Sequence, residues 1–139
     1  DYNLLNYDSS SLIHSTVTKL LHIAKRTRPD ILLPVNVLCA KVKNPTENDL
    51  KKLENVLKYL NGSQNKVLLL KLIVTDNNTI DLDAYIDASF SVHQDCKSHS
   101  GASFTIGQGS ILHCSTKQVC VSKSSPEAEL IAYTDHASC

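Results

Sequence analysis

Two acidic side chains in this sequence are candidates for metal-dependent chemistry. Asp87 lies in the middle of a segment with the alternating apolar pattern of a β-strand, where Asp is disfavoured. Glu129 lies near the start of a predicted helix. A strand carboxylate facing a helix carboxylate can hold Mg²⁺, a hard cation that prefers oxygen ligands. Two such ions about 4 Å apart can activate a water for phosphodiester hydrolysis.

The same acids also have a simpler explanation. Asp87 can be a solvent-facing strand residue, and Glu127 and Glu129 can be acids favoured at the positive end of a helix. Two acids far apart in sequence are a common coincidence, so these residues taken alone favour the simpler explanation. The metal hypothesis therefore depends on what longer stretches of the sequence indicate.

Histidines and cysteines form a second candidate cluster. The gaps in His93-x2-Cys96-x2-His99, and the adjacent pair His113 and Cys114, are similar to those of metal ligands. A structural zinc needs four ligands, commonly from two tight pairs, and these gaps are irregular. We therefore favour scattered, unliganded side chains. The five Cys are odd in number and widely spaced, which indicates a reducing compartment instead of a disulfide scaffold.

Basic residues Lys25, Arg26 and Arg28 gather where the first predicted helix ends. They can contact nucleic-acid phosphates, with the salt-dependent affinity that such contacts bring. They can equally be a solvated helix end, where cations are favoured. Residues 1–75 hold 11 Lys and Arg against 6 acids, and residues 76–139 hold 3 against 8. A basic half suits a polyanion and an acidic half suits cations, but chance asymmetry explains the split as well.

The 139 residues, 42% hydrophobic and 20% charged, have the composition of one globular domain with an appendage. No apolar run approaches the ~20 residues that a membrane span needs. The first residues lack the charged-then-apolar pattern of a signal peptide. We therefore expect an intracellular protein, cytoplasmic or nuclear, with no membrane partner. Because the chain contains no Met, we interpret it as a piece of a longer protein.

The first half of the chain predicts three short helices. Ser9–Ser11 offers an N-cap for the first helix, which ends before Pro29. Asp30 can cap the second helix, which Pro45 ends. The third helix begins at Thr46 with a capping box. Apolar residues recur at helical spacing in all three helices.

Beyond Gly62, which closes the third helix, the apolar period changes from helical to two. Val67–Val74 and Ile80–Phe90 are predicted strands. The pattern in the second strand places Asp87 on one face with Tyr85 and Ser89. The order of helices, then strands, predicts an all-helical appendage joined to part of an α/β or α+β domain.

The remaining strands and one helix follow. Ala102–Ile106 and Ser110–His113 predict a hairpin around a Gly-Gln-Gly turn, and Gln118–Val121 can add a short strand. A last helix is predicted with Ser125 at the N-cap and Pro126 at the first helical position. The chain reaches its end with no helix stop signal, so we expect that it is cut inside this element.

Several strings in the helical half resemble the Pol polyproteins of copia-type retrotransposons. Residues 20–31 (LLHIAKRTRPDI) resemble a run LLYLA…TRPDI that follows the reverse-transcriptase core of that family. Residues 44–47 (NPTE) and 56–62 (VLKYLNG) resemble its NPT and VLRYLKGT runs. Each string is weak evidence by itself.

The second half continues the resemblance in family order. Residues 84–89 (AYIDAS) resemble the opening strand of the family's ribonuclease H, and residues 98–101 (SHSG) resemble the start of its next strand. Residues 115–118 (STKQ) and 124–132 (SSPEAELIA) resemble SSKKQ and SSTEAEYIA. The strings together extend from about Leu12 to Ala132, which makes the resemblance strong.

The resemblance implies a division into two parts. Residues 1–63 are expected to be a helical connecting region that follows a reverse transcriptase core and helps to hold an RNA–DNA hybrid. Residues 64–139 are expected to be the N-terminal half of a ribonuclease H-like domain, an antiparallel strand meander followed by a helix. Lys25, Arg26 and Arg28 are then candidate contacts to the phosphates of the hybrid.

The resemblance also assigns the acids. Asp87 and Glu129 become catalytic ligands of Mg²⁺ or Mn²⁺, in a reaction that hydrolyses the RNA strand of an RNA–DNA hybrid. We prefer Glu129 to Glu127 because Glu129 directly precedes the Leu-Ile-Ala run.

The chain also departs from the family. The family's fold supplies two further aspartates after the helix that contains Glu129, whereas this chain ends at Cys139, and Asp135 matches neither of them. We therefore expect little or no activity from the chain alone. Its expected partners are the upstream reverse transcriptase and the C-terminal half of the nuclease. The alternative hypothesis is a decayed or repurposed remnant that acts as an interaction module and self-associates through an exposed sheet edge.

Overall fold

The computed structural model describes residues 7–137 of the chain, and side chains from residue 9 onward. These residues form helices and antiparallel sheets, so the predicted mixed α/β class is confirmed. They divide into two compact units, of which the first ends at Leu68 and the second begins at Leu69. Within the described residues, no helix is long and apolar enough to cross a membrane.

The first unit is helical. It contains α1 (Tyr7–Arg26), a 3₁₀ turn (Pro29–Ile31), α2 (Leu32–Cys39) and α3 (Glu47–Gly62). The apolar stripes of these helices meet in one buried cluster, whose members are Ile13, Val17, Leu20, Ala24, Ile31, Leu32, Val35, Leu38, Leu53 and Val56. Burying a large aliphatic side chain stabilises a fold by about 1.5–3 kcal/mol relative to leaving it exposed, so this cluster is the main support of the unit.

Three helix ends differ from the sequence predictions. α1 begins at Tyr7, so Ser9–Ser11 lie inside the helix and do not cap it. Asp30 lies in the 3₁₀ turn, and Ile31 holds the cap position of α2 instead. α2 ends at Cys39, before the predicted proline break, because the backbone continues there in tighter turns with three-residue hydrogen bonds.

The predicted capping box of α3 is confirmed. The Thr46 hydroxyl accepts a hydrogen bond from the Asp49 N–H (3.3 Å), and the Asp49 carboxylate accepts from the Thr46 N–H (3.1 Å). Burial raises the pKa of Asp49, but the hydrogen bonds from Thr46 and the charge of Lys52 outweigh burial, so the pKa is lowered overall. The helix ends at Gly62, as predicted.

The second unit contains the strands and one helix. Its elements are β1 (Lys71–Leu72), β2 (Asp83–Ser89), β3 (His99–Thr105), β4 (Gly107–Gln108), β5 (Ser110–Lys117) and α4 (Ser125–His136). β2, β3 and β5 form an antiparallel sheet in the order β2-β3-β5, and β1 pairs with β4. β2 and β5 are therefore the outer strands of the larger sheet. α4 packs against β2 and β3.

The strand predictions are correct for β2 and the β3–β5 hairpin and wrong elsewhere. In the predicted strand Val67–Val74 only Lys71–Leu72 is paired, because β4 offers a partner of two residues. Gly107 is required there, since a Cβ at this position would lie 2.5 Å from the Lys71 carbonyl oxygen. Gln118–Val121 is not a strand.

The start of α4 is displaced by one residue from the prediction. Ser124, not Ser125, is the N-cap: its backbone is extended and its side chain accepts a hydrogen bond from within the first turn. Pro126 is consequently the second helical residue, a position where the absent N–H still leaves no helical bond unmade.

One face of the three-stranded sheet lies against α4. Ile86 pairs with Ala102, and Ala88 pairs with Ser100. Ala102 and Ser100 are buried, and Ile86 and Ala88 are half-buried. Ser100 is hydrogen-bonded through Gln118 to the backbone of α4, which identifies this face as the covered one. Intervening residues of β2 point to the opposite face because strand side chains alternate.

Candidate functional site

Asp87 lies in the middle of β2, as predicted. Its neighbours on the exposed face are Tyr85 and Ser89, which confirms the predicted alternation. Opposite Asp87 on β3 stands Gly101, which has no side chain to cover the carboxylate. The Asp87 carboxylate is exposed and has no hydrogen-bond or ion-pair partner among the described residues. Its exposure on an outer strand fits the simpler explanation, a solvent-facing strand residue, as well as the metal hypothesis.

Glu127 and Glu129 differ in what they do for α4. The Glu127 carboxylate accepts a hydrogen bond from the Lys123 N–H (2.6 Å), and the Glu127 N–H donates to the Ser124 hydroxyl (3.4 Å). Glu127 is thus part of the helix start. Glu129 lies one turn after the start of α4, is exposed, and has no such partner within residues 7–137. The preference for Glu129 as the functional acid gains a physical reason from this difference.

The structure brings together the elements that carry the two acids. α4 packs on β2 and β3, but Asp87 points to the sheet face that α4 does not cover. No hydrogen bond or ion pair joins Asp87 to Glu129. In the part of the chain that the structure describes, no group of three or more His, Cys, Asp or Glu side chains is placed to hold a metal ion.

Gln118 is a residue of this region that the sequence placed in a short strand and in the family string of residues 115–118, without a role. It follows β5 and is 1% exposed. Its side-chain amide donates to the Ser100 hydroxyl (2.9 Å) and to the Ala128 carbonyl oxygen (2.8 Å), so it joins the sheet to α4. No local sequence signal predicts this contact, because its three residues are far apart in the chain.

The basic cluster in the first unit divides into two kinds of residue. Lys25 and Arg26, in the last turn of α1, are exposed. The Arg28 guanidinium instead donates to both carboxylate oxygens of Asp30 (3.0 and 2.8 Å) and to the backbone and side-chain oxygens of Ser63 (3.1 and 2.7 Å). The donors of Arg28 are therefore engaged within the unit, and Lys25 and Arg26 remain the candidates for phosphate contact.

The Arg28 interaction has a clear electrostatic consequence. The hydrogen bonds from Arg28, with a further one from the Tyr59 hydroxyl (2.8 Å), lower the pKa of Asp30 to about 2. Lys66 donates to the same Tyr59 hydroxyl (2.9 Å), and its ammonium lies 5.1 Å from the ring centroid. This network fastens the turn after α1 to the end of α3.

The histidine cluster forms a chain of hydrogen bonds. His93 Nε2 lies 3.1 Å from His99 Nδ1, and His99 Nε2 lies 2.7 Å from the Ser115 hydroxyl. Burial lowers the pKa of His99, and the nearby His93 lowers it further. Both effects favour the neutral form of His99. None of the cysteines that the structure describes, at positions 39, 96, 114 and 120, forms a disulfide.

Known proteins with similar sequences include transposon polyproteins. Over 104 residues the chain is 39% identical to the retrovirus-related Pol polyprotein from transposon RE1 of Arabidopsis thaliana, a match to 74% of this chain and 7% of that protein. Over 122 residues it is 33% identical to the retrovirus-related Pol polyprotein from transposon TNT 1-94 of Nicotiana tabacum, 87% of this chain and 9% of that protein.

A shorter relative is similar over nearly the same part. The chain is 30% identical over 122 residues to the secreted RxLR effector protein 161 of Plasmopara viticola, 87% of this chain and 83% of that protein. No protein-family model and no solved structure matches the chain.

The long relatives define a class, the retrovirus-related Pol polyproteins of transposons. This chain belongs to that family, which confirms the resemblance seen in its sequence strings. It spans less than a tenth of the length of the two polyproteins described.

Proposed function

We propose that this chain is a segment of a retrotransposon Pol polyprotein that supplies two carboxylates to a ribonuclease H site. The intact protein would hydrolyse the RNA strand of an RNA–DNA hybrid. In this proposal residues 1–63 connect the nuclease to a reverse transcriptase, and residues 64–139 form the first half of a ribonuclease H-like domain. The proposal combines the family membership with the placement of Asp87 and Glu129.

One observation carries the assignment of the acids. Asp87 and Glu129 are exposed and are without partners among the described residues, and they stand on a strand and a helix that pack against each other, with Asp87 on the sheet face that α4 leaves open. Glu127, two residues away, is used to start the helix. A carboxylate that does nothing for the fold is the kind that is free to bind a cation.

Carboxylate oxygens are the ligands preferred by Mg²⁺ and Mn²⁺, hard cations that retain several waters. The described residues do not bring Asp87 and Glu129 to one face of the sheet. Each would therefore supply a carboxylate to a metal site completed in the intact protein, where the metal would supply an activated water for attack on phosphate. Because the described residues provide no third acid to this group, we expect the chain alone to leave hybrids uncut. Lys25 and Arg26 would contact the phosphates of the hybrid, with an affinity that falls as salt rises.

Metal binding can be tested on the chain itself by NMR during Mn²⁺ titration. We expect broadening of the amide signals around Asp87 and Glu129, which Asp87→Asn and Glu129→Gln each abolish. Glu127→Gln is the matched control, because the amide oxygen can still accept from Lys123 and the charge change is the same. Broadening that survives both test substitutions contradicts the proposed ligands.

Hydrolysis of a labelled RNA–DNA hybrid provides the second test. We expect no Mg²⁺- or Mn²⁺-dependent cleavage above that of the Asp87→Asn and Glu129→Gln variants. Cleavage that both substitutions abolish would support the assigned residues and contradict the expected inactivity, since a complete site would then assemble from this chain alone.

A second candidate function is an interaction module derived from such a polyprotein. The observation that favours it is the match to 83% of a short protein, the secreted RxLR effector protein 161. Apolar side chains such as Leu82, Tyr85 and Leu130 are more than half exposed in the second unit, and β2 has an unpaired outer edge in the described sheet. Such a surface can pair with another chain.

Light scattering over a range of protein concentrations distinguishes this candidate. Self-association through the β2 edge predicts a dimer that Tyr85→Lys weakens, because a charge on an edge strand discourages pairing. A monomer at all concentrations contradicts self-association as the function of this edge.

A further inference from the structure

Residues 69–74 of the second unit have the composition of a strand, but the fold uses only part of them. Lys71 and Leu72 pair with two residues of β4. The five apolar side chains of the segment are each 49–59% exposed: Leu69, Leu70, Leu72, Ile73 and Val74. Because side chains alternate along an extended segment, this exposure falls on both of its faces.

One edge of the segment carries backbone groups that have no strand partner among the described residues. The Ile73 N–H donates to the Ile106 carbonyl oxygen (3.2 Å), so the backbone of Ile73 faces β4. In an antiparallel ladder, residues that exchange hydrogen bonds alternate with residues that do not. Leu72, which lies opposite Gly107, is of the second kind. Its N–H and C=O therefore point to the free edge.

The outer edge of β2 is a second unpaired edge of this unit in the described sheet. β2 has seven residues and pairs on one side only, with β3. It carries Asp83 and Asp87 and no basic residue, whereas residues 69–74 carry Lys71 and no acid. The two free edges thus have similar lengths and opposite charges.

We propose that residues 69–74 of one copy of this chain pair with the outer edge of β2 in a second copy. Opposite charges across a strand pair stabilise it and like charges destabilise it. The acids of β2 therefore disfavour a second β2 edge and favour the basic segment. Each copy has one edge of each kind, so two copies related by a twofold axis make the contact twice and close into a dimer.

Such pairing would use surface that the isolated unit leaves in water. It would satisfy free N–H and C=O groups on both edges and cover apolar side chains, among them Tyr85, which is 64% exposed on β2. In recognition by strand addition, main-chain hydrogen bonds supply affinity and side chains supply specificity. Here the specificity comes from Lys71 and the aspartates of β2. This inference rests on the second candidate function, because it names the partner of that interaction module.

A charge exchange tests the pairing, with sedimentation equilibrium of the full chain as the measurement. Lys71→Asp and Asp83→Lys should each weaken the dimer about tenfold or more, because each places like charges across the contact. Combining Lys71→Asp with Asp83→Lys, or with Asp87→Lys if the register sets Lys71 opposite that acid, should restore the dimer.

Matched controls make the same charge changes away from both edges. Lys123 and Asp135 are exposed residues of the second unit outside its strands. Lys123→Asp and Asp135→Lys should leave the dimer dissociation constant within about twofold at physiological ionic strength, because salt screens charges that are distant from the contact.

A backbone variant tests the free edge independently of charge. Leu72→Pro removes an N–H that points to this edge and not to β4, so the dimer should be lost while circular dichroism remains that of the natural chain. An unchanged dimer in folded Leu72→Pro overturns the inference. If Leu72→Pro does not fold, the charge exchange decides.

Failure of the inference differs from failure of the interaction module. A dimer that resists Lys71→Asp, or that neither combination restores, overturns the pairing of these two edges but leaves self-association intact. A monomer at all concentrations contradicts both the inference and self-association as a function. Species larger than a dimer contradict the twofold closure.

Discussion

In the first unit, one cluster of ten apolar side chains is buried among the described residues, whereas the apolar side chains buried in the second unit are Ala102, Phe104, Ala128 and Ala132. The second unit instead buries polar side chains, among them Ser98, Ser100, Gln118 and Ser122. Apolar burial gains free energy in proportion to area and tolerates small shifts, whereas hydrogen bonds specify distance and direction. The core of the first unit thus mainly contributes stability, whereas the buried hydrogen bonds of the second unit fix the positions of its strands and helix.

The second unit also exposes more large apolar side chains than the first. In the second unit Leu82, Tyr85, Leu130 and Tyr133 are each more than 60% exposed, on and beside β2 and on α4. Large exposed apolar surfaces mark sites of interaction with another polypeptide. A unit with a small apolar core and such a surface is one whose stability gains from a partner.

The largest effect is expected when the same substitution, Leu→Ala, is made at a buried position of the first unit and at an exposed position of the second. Leu38 is 2% exposed in the first unit and Leu130 is 65% exposed in the second. Leu38→Ala should lower the free energy of unfolding by about 2–5 kcal/mol, because it removes buried apolar surface and leaves a cavity. Leu130→Ala should change the free energy of unfolding by no more than about 0.5 kcal/mol. Hydrogen exchange followed by mass spectrometry measures each unit separately. Equal costs at the two positions would contradict the comparison.

A smaller effect is expected inside the polar layer of the second unit. Ser122→Ala leaves the buried Ser98 hydroxyl with the Ser91 N–H as its remaining partner, at a cost of about 0.5–1.5 kcal/mol. Thr134→Ala is the control, because it removes an exposed hydrogen bond on α4 and should change stability by less than about 0.5 kcal/mol. Urea unfolding of both variants gives the difference, and a neutral Ser122→Ala would show that this layer is not stabilising.

Acid should weaken the first unit through Asp30. Its pKa is about 2 in the folded chain against 3.8 for an ordinary Asp, so its ion pair stabilises the fold above about pH 4. That contribution falls as the pH decreases from about 4 to 2, and it is modest because the carboxylate is one-third exposed to solvent. Unfolding measured at pH 5, 3 and 2 should show a steeper loss in the natural chain than in Asp30→Asn. If the natural chain and Asp30→Asn lose stability equally as the pH falls, Asp30 does not cause the acid sensitivity of this unit.

Mild acid should act on the second unit through His99. Its pKa is lowered from 6.5, chiefly by burial and secondly by His93, so protonation favours the unfolded chain. As far as His99 is concerned, the free energy of unfolding is highest above pH 6.5 and decreases as the pH falls below that value. NMR titration of the ring protons should show the low pKa, and His93→Gln should raise it. A His99 pKa that does not change in His93→Gln would exclude the second cause.

Features encoded within a few residues were predictable from the sequence. The capping box of Thr46 and Asp49 joins residues three apart, and the alternation around Asp87 lies within one strand. Both are read from a short window, because local geometry decides them. The resemblance strings added the family, which no local pattern provides.

Features that depend on distant partners were not predictable. The apolar run 67–74 has a strand's composition, but pairing is limited by the two residues of β4. The sequence places Arg28 in an exposed basic cluster, yet its guanidinium donates a hydrogen bond to Ser63, which is distant in sequence. Gln118 looked like the start of a strand, and its burial depends on Ser100 and Ala128 together. Patterns in a single sequence do not indicate which distant residues come into contact.

The unpaired outer edge of β2 has a consequence for how variants of this protein behave when expressed. Asp83 and Asp87 place two negative charges on that strand, and charges on an exposed edge discourage aggregation. We therefore expect Asp87 to limit aggregation, in addition to being a candidate ligand. A preparation of Asp87→Asn is expected to aggregate more readily, so loss of Mn²⁺ binding in it has to be separated from loss of soluble protein. Combining it with Ser89→Asp, which restores a charge to the same face, keeps the protein in solution.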